Sequence, residues 1–324
     1  MLLTALVLMA CKTPSTDTDP VPTLPVQGTA DTATVFTGDT GPDVPLIDCT
    51  NLPTAPFPSQ RIEGGRAYHG IAFDGLGNMV GSDGSSLVKL SAPGEASLWI
   101  PDLSRGEQME YMADGDLIFS ASNGNILRIS PDGSRQVISS NVNAYGVIIG
   151  PDGFIYTANQ STVHRINPTT GDRTVYVGGV STPKVINWSP DFTKFYIGTN
   201  ESNGAIFVVE TDPVTLMPLG EPQLFGNTSS TWHDGLGVDA CGNVYVAEFW
   251  DRRLWRFTPD GDRQLLVQYP AEQYGHGISW GSGIGDWNAM AIYVPQPYDG
   301  NRISEAIIGV PDRRFNGGVY DLIE

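Results

Sequence analysis

Six positions in the 324-residue chain stand at a regular spacing and are chemically out of keeping with the strands they open. They are His69, Glu107, Tyr145, Lys184, Asp234 and His276, with intervals of 38, 38, 39, 50 and 42 residues, and each begins a largely apolar segment. A buried strand has no use for an ionisable side chain, because a charge removed from water is costly unless it is paired. Three of the four histidines fall at or beside this register (His69, His276, and His233 next to Asp234), and only His164 lies elsewhere. Imidazoles among carboxylates support three readings. In the first, Asp234, His69 and His276, with Glu107 or else His233, bind a borderline metal such as zinc or manganese, which activates a water for hydrolysis. In the second, no metal binds, Lys184 pairs with Asp234 or Glu107, and His69 or His276 is the general base. In the third, the cluster is inactive and only holds a small molecule, a glycan or a protein. The catalytic candidates are thus Asp234, His276 and His69.

The segments between these positions say what must hold them together. "YGVIIGPDGFIYTANQSTVHRINPTTGDRTVYV" from Tyr145 and "DGLGVDACGNVYVAEFWDRRLWRFTPDGDRQLLV" from Asp234 share one plan, as does "HGIAFDGLGNMVGSDGSSLVKLSAPGEASLWI" from His69. Each reads as apolar strand, Gly/Asp turn, second strand, polar loop, third strand, turn and fourth strand. Weaker copies open at Glu107, Lys184 and His276. A period near 40 with four short strands per unit predicts an all-β chain, a six-bladed β-propeller. The innermost strand of each blade then lines a central channel, and the six positions gather at one mouth. Loops between second and third strands open on the same face and add Asn159, Asn200 and Glu248, with Asp83, Asn123 and Gln296 at corresponding places. Tyr145, Lys184, His233, Asn159, Asn200 and Glu248 are the expected substrate contacts. Trp232, Phe249, Trp250 and Tyr298 lie in or beside these loops and offer an apolar wall. Trp99, Trp188, Trp255 and Trp280 fall within strands and read as packing. The last blade needs a fourth strand, which either "GVYDLIE" at the C-terminus or a segment near "SQRIEGG" can supply. "GSGIGDWN" (281–288) lacks the strand–helix setting of a phosphate loop and reads as a connection on the opposite face.

"DGLGVDACGNVYVAEFWDRRLWRF", and after it "INWSPDFTKFYI", resemble the regucalcin/gluconolactonase superfamily of six-bladed propellers, and the likeness runs over roughly residues 66–324. The resemblance implies a divalent cation, usually calcium, at the channel mouth, where it activates a lactone or ester toward water. It implies ligands from an acid opening the first blade, Asn residues opening the third and fourth, and an Asp opening the fifth. Asp234 matches the last of these. His69, Tyr145 and Lys184 stand where the others are expected, and a lysine ammonium opposes a cation that needs six to eight oxygen ligands. Calcium is therefore disfavoured and the site is read as altered. The related streptogramin lyases resemble the second reading, with a histidine at the channel mouth. In this family an acid at the place of Glu248 often pairs with the arginine after it, here Arg252 or Arg253.

Composition narrows the rest. Charged residues are 17% and apolar ones 40%, with 38 Gly and 24 Pro, a turn-rich globular balance. A net charge of −18 leaves no basic stripe for nucleic acid. The expected partner is a small molecule at the mouth, and the expected state is a monomer. Residues 1–10, with Cys11 next, form an apolar run too short to span a bilayer. "LMAC" resembles the bacterial lipobox, although no Lys or Arg precedes it. Residues 11–47 are rich in Thr, Pro and Asp and read as a disordered linker, and 48–324 as the propeller. Lipidation at Cys11 would make the protein exported and lipid-anchored to a bacterial membrane, at the outer membrane or cell surface, with no other membrane contact. Cys49 and Cys241 are then expected to form a disulfide, the other outcome being two free thiols.

Overall fold

The computed structural model describes residues 47–159, 161–316 and 319–320. Six four-stranded antiparallel sheets succeed one another along the chain, and no helix forms among the described residues. Blade 1 runs from Ile71–Phe73 to Ala96–Ile100, blade 2 from Gly106–Tyr111 to Arg135–Ser139, and blade 3 from Gly146–Ile149 to Arg173–Val177. Blade 4 runs from Pro183–Trp188 to Gln223–Asn227 and blade 5 from His233–Val238 to Arg263–Gln268. Blade 6 takes Ser279–Trp280, Ala291–Gln296 and Arg302–Ile307 from the C-terminal end, and its outer strand, Gln60–Arg61, from the N-terminal side. Gln60 pairs with Glu305 and Arg61 with Ser304, so the segment near "SQRIEGG" closes the ring. Val319–Tyr320 pairs instead with Phe315–Asn316 as a small hairpin.

Burial depends on position in the blade. Second strands such as Leu117–Ala121 and Val244–Glu248 are covered on both faces and read as continuous apolar runs, whereas outer strands such as Ala96–Ile100 are largely exposed. The core is therefore distributed between neighbouring blades. Tyr156 of blade 3 and Trp188 and Phe195 of blade 4 form one such layer, and Tyr245 of blade 5 meets Trp280 and Ile292 of blade 6 in another. Edge-to-face ring pairs, including Tyr156 on Trp188 at 5.4 Å, fix these layers. Cys49 and Cys241 are bonded, with Cα atoms 5.5 Å apart, tying the segment before the first blade to the turn after Val238. Trp188, Trp255 and Trp280 lie within strands, and Trp188 and Trp280 are fully buried. In the 281–288 connection, Trp287 is buried and donates to Gly77 O at 2.8 Å.

Two features at the top of the innermost strands position the site. Strand register shifts where Glu107, Lys184 and Asp234 occur, between Gly106 and Met109, Pro183 and Val185, and His233 and Gly235. Each residue thus sits in a β-bulge, a device that re-aims a side chain and leaves it unpaired in the ladder. The strands also approach very closely there. A Cβ on Gly235 would lie 2.5 Å from the Gly277 carbonyl carbon, and one on Gly146 would lie 2.6 Å from Lys184 O. That crowding explains why His69, Tyr145, Asp234 and His276 each have glycine as the next residue.

Below this level the channel is lined by all six innermost strands, with Gln108, Glu110 and Asn187 among its polar groups. Gln108 Nε2 donates to Asp234 O at 3.2 Å near its upper end. The C-terminal segment passes beneath: Arg313 N donates to Val238 O at 3.0 Å, and its guanidinium donates to Asn187 Oδ1 at 2.8 Å.

Candidate functional site

All six register residues meet at the mouth. Lys184 Nζ donates to Asp234 Oδ1, and His276 Nδ1 lies 3.1 Å from Asp234 Oδ2 and 3.2 Å from the Tyr145 hydroxyl. His69 Nδ1 is hydrogen-bonded to Glu107 Oε2. The two imidazoles stack face to face, with centroids 4.2 Å apart and planes at 11°. The site is therefore a hydrogen-bonded His69–Glu107 pair laid against His276, which approaches Asp234 Oδ2 without a hydrogen bond to it, with the Lys184 ammonium 4.0 Å from the Tyr145 ring centroid. The five charged or imidazole groups of this cluster are buried: Asp234 is 1% exposed, Lys184 and His276 4%, His69 6% and Glu107 7%.

Burial sets the proton affinities. It pushes the Asp234 carboxyl up, against the pull of Lys184, and the net direction is upward. Burial also pushes Glu107 up, but the hydrogen bond and charge of His69, together with Arg105, outweigh it and hold the carboxyl below its usual range. His276 is driven well below the ordinary imidazole value by burial first, then by His69, Lys184 and Arg105 nearby. It is neutral at physiological pH, and its Nε2 has no hydrogen-bond partner among the described residues. Burial raises the Tyr145 phenol well above its ordinary value, so it stays protonated.

The metal reading meets a poor donor set. Among the described residues no three His, Cys, Asp or Glu side chains converge as a cation site. A lysine ammonium already sits on the carboxylate that a metal would need, and one nitrogen of His69 is engaged by Glu107. The groups present do not fit zinc, manganese or calcium. Lys184 pairs with Asp234, one of the two partners read for it from the sequence.

Not every expected contact reaches the mouth. His233 is fully buried, shares a hydrogen bond between Nε2 and Thr228 Oγ1 at 3.1 Å, and packs against Gly198 and Gly204 of blade 4. It is a packing residue between blades, and burial lowers its pKa to about 3. Adjacent strand residues point to opposite faces, and the bulge that turns Asp234 inward leaves His233 turned away. Glu248 is also buried, accepting from Trp255 Nε1 at 3.0 Å with Arg253 at 3.9 Å, the arginine pairing that the resemblance implied. Asn159 caps its own turn, its Oδ1 accepting from Thr162 N at 3.0 Å. Asn200 holds its loop through the backbone, donating to Thr182 O at 3.1 Å. Cys11 and the rest of residues 1–46 lie outside the described residues.

The structure adds members that the register could not show. Arg105 reaches Glu107 at 3.2 Å and places its guanidinium 4.8 Å from the Tyr68 ring. Its place two residues before Glu107 was the only sequence signal. On the blade 5 and 6 side, Phe249 meets His276 edge-on at 4.9 Å and also touches Trp232, Trp250, Tyr274 and Tyr298. The apolar wall expected from Trp232, Phe249, Trp250 and Tyr298 is thus present, with Tyr274 added.

Known proteins place this architecture in a class. Residues 141–276 match the SMP-30/Gluconolactonase/LRE-like region, a span that begins in front of blade 3 and ends on His276. A Rhizobium meliloti (strain 1021) protein carrying the name sugar lactone lactonase is 30% identical over 96 residues, 29% of this chain. That match spans about a third of the relative's length, 32%. The Agrobacterium tumefaciens C58 structure described as a calcium-binding protein, regucalcin, superposes with a TM-score of 0.66 at 18% identity, covering 82% of this chain and 98% of that one. A Xanthomonas campestris gluconolactonase superposes with a TM-score of 0.62 at 16% identity, covering 78% and 88%. The fold is that of a gluconolactonase-like propeller, and the family likeness covers the blades that supply Tyr145, Lys184, Asp234 and His276.

Proposed function

We propose that the mouth is a metal-independent acid–base site that hydrolyses a lactone or ester, with His276 as general base. The observation that carries this is the buried, neutral His276, flanked at Nδ1 by Asp234 and Tyr145 and with Nε2 unbonded among the described residues. A shifted pKa beside a specific charge partner in a channel mouth makes a buried group a candidate for a working one. With the proton on Nδ1, where the Tyr145 hydroxyl oxygen accepts its hydrogen bond and Asp234 lies close by, the buried Nε2 lone pair takes a proton from water. That water's oxygen attacks the carbonyl carbon, and the Tyr145 hydroxyl and Lys184 ammonium stabilise the developing oxyanion. When the intermediate collapses, the imidazolium returns the proton to the leaving alkoxide, so the histidine ends neutral. Lactonase-like chemistry is supported by the partial match to gluconolactonase relatives, and the cation is replaced by Lys184.

We also propose that the protein acts outside the cytoplasm on a lipid-anchored stalk. The Cys49–Cys241 disulfide supports an oxidising compartment. Lactone and ester hydrolysis measured with and without EDTA tests the enzymatic reading. The expected outcome is activity that survives EDTA and falls about 10²- to 10⁴-fold in His276→Asn, with the fold retained by circular dichroism. A folded His276→Asn protein as active as wild type overturns it. Activity absent from wild type, with small molecules still bound at the mouth, favours the inactive binding propeller instead.

A further inference from the structure

The mouth is chemically lopsided, and the lopsidedness points to a substrate class. On the blade 5 and 6 side, Trp232, Trp250 and Tyr298 are 39%, 50% and 56% exposed, whereas Phe249, on which they all pack, is 5% exposed. Phe249 in turn touches His276, so the aromatic platform runs from solvent to the proposed base without a break. Two groups on blade 5 that could bind hydroxyls are turned away: Glu248 is buried against Trp255, and His233 is buried against Thr228.

Trp232 adds an independent observation. Its φ is +72°, a left-handed conformation that a bulky side chain rarely adopts and glycine adopts freely. Strain of this kind persists where surrounding structure holds it, as it also does at Phe192 and Leu216. Here it places the indole 5.1 Å from the Lys184 ammonium and 5.6 Å from Phe249.

We propose that Trp232, Phe249, Trp250 and Tyr298 select a substrate with a flat apolar ring beside its ester or lactone group, in preference to a polyhydroxylated sugar lactone. The ring lies on the platform and brings the carbonyl against His276. This rests on the hydrolytic reading of the same mouth, and the experiment separates the two. Binding of two slowly reacting lactams, dihydroquinolinone (the counterpart of dihydrocoumarin) and gluconolactam, is measured by calorimetry on the full chain. Hydrolysis of the two parent lactones is measured in parallel.

The aryl lactam is expected to bind about tenfold more tightly than gluconolactam, and Trp232→Gly and Tyr298→Ala are each expected to weaken it about tenfold. The midpoint of thermal unfolding of Trp232→Gly should be no lower than wild type, which separates lost binding from lost folding. Equal affinity for the two lactams, no saturable aryl binding, or unaltered affinity in both variants overturns the proposal. Glucono-lactone turnover with no aryl preference leaves the hydrolase standing and removes this inference; aryl binding without turnover of either lactone does the reverse.

Discussion

Setting the Lys184 ammonium against the Asp234 carboxylate removes both ions from water, and only their mutual attraction and hydrogen bonding offset that desolvation. Removing one partner leaves the other charged and unpaired. Lys184→Met is therefore expected to lower stability by about 3–5 kcal/mol in denaturant titrations, and Lys184→Met combined with Asp234→Asn should recover part of it. The same ammonium helps to hold His276 below the ordinary imidazole value. The acid limb of kcat/KM should lie below pH 6.5 in wild type and move to higher pH in Lys184→Met, as read from pH–rate profiles. His233 gives a separate stability signature. Its folded pKa is about 3 against an ordinary 6.5. The unfolded chain thus binds the proton first, and stability falls as pH drops from about 6.5 towards 3, by about 1.4 kcal/mol per pH unit for this group. Melts between about pH 7 and pH 5 should show this slope, and His233→Gln should make it shallower. His276 contributes with the same sign.

The elements that present these residues are bulged strand tops packed against glycine. Gly235→Ala would drive a methyl group to 2.5 Å from the Gly277 backbone, where nothing flexible can yield. We expect it to cost about 1–3 kcal/mol in unfolding measurements and to lower activity by displacing Asp234. The disulfide spans 192 residues of sequence. Reducing it, or Cys49→Ser with Cys241→Ser, is expected to cost about 2–5 kcal/mol. Much at this scale was legible in the sequence: the repeat of about 40 residues, the polar residue at each strand start, and the glycine next to it in blades 1, 3, 5 and 6. The bulges were not legible, because a single extra residue leaves the apolar pattern of a short strand unchanged. For that reason His233 and Asp234 read as a joint contribution to the mouth when only Asp234 enters it. Both candidate closing segments are equally short, and the pairing of Gln60 with Glu305 decides between them.

As a whole, the molecule is a six-bladed propeller similar in fold to solved regucalcin and gluconolactonase structures. The ring of blades gathers six residues, from positions 69 to 276, around one channel mouth. The loops around them set an aromatic rim on one side and Arg105 with Tyr68 on another. On the proposed mechanism the cation of a calcium site is replaced by the Lys184 ammonium, and catalysis passes to His276. Thermal melts after EDTA, repeated with calcium, zinc, manganese or magnesium, test that replacement most directly, with Asp234→Ala alongside. A metal that binds only the folded state at a hundredfold excess over its dissociation constant adds roughly 3 kcal/mol of stability and must raise the midpoint. None of these metals is expected to raise the wild-type midpoint by way of the mouth. A metal that raises the midpoint of wild type but not of Asp234→Ala would contradict the replacement and return the site to metal-assisted hydrolysis.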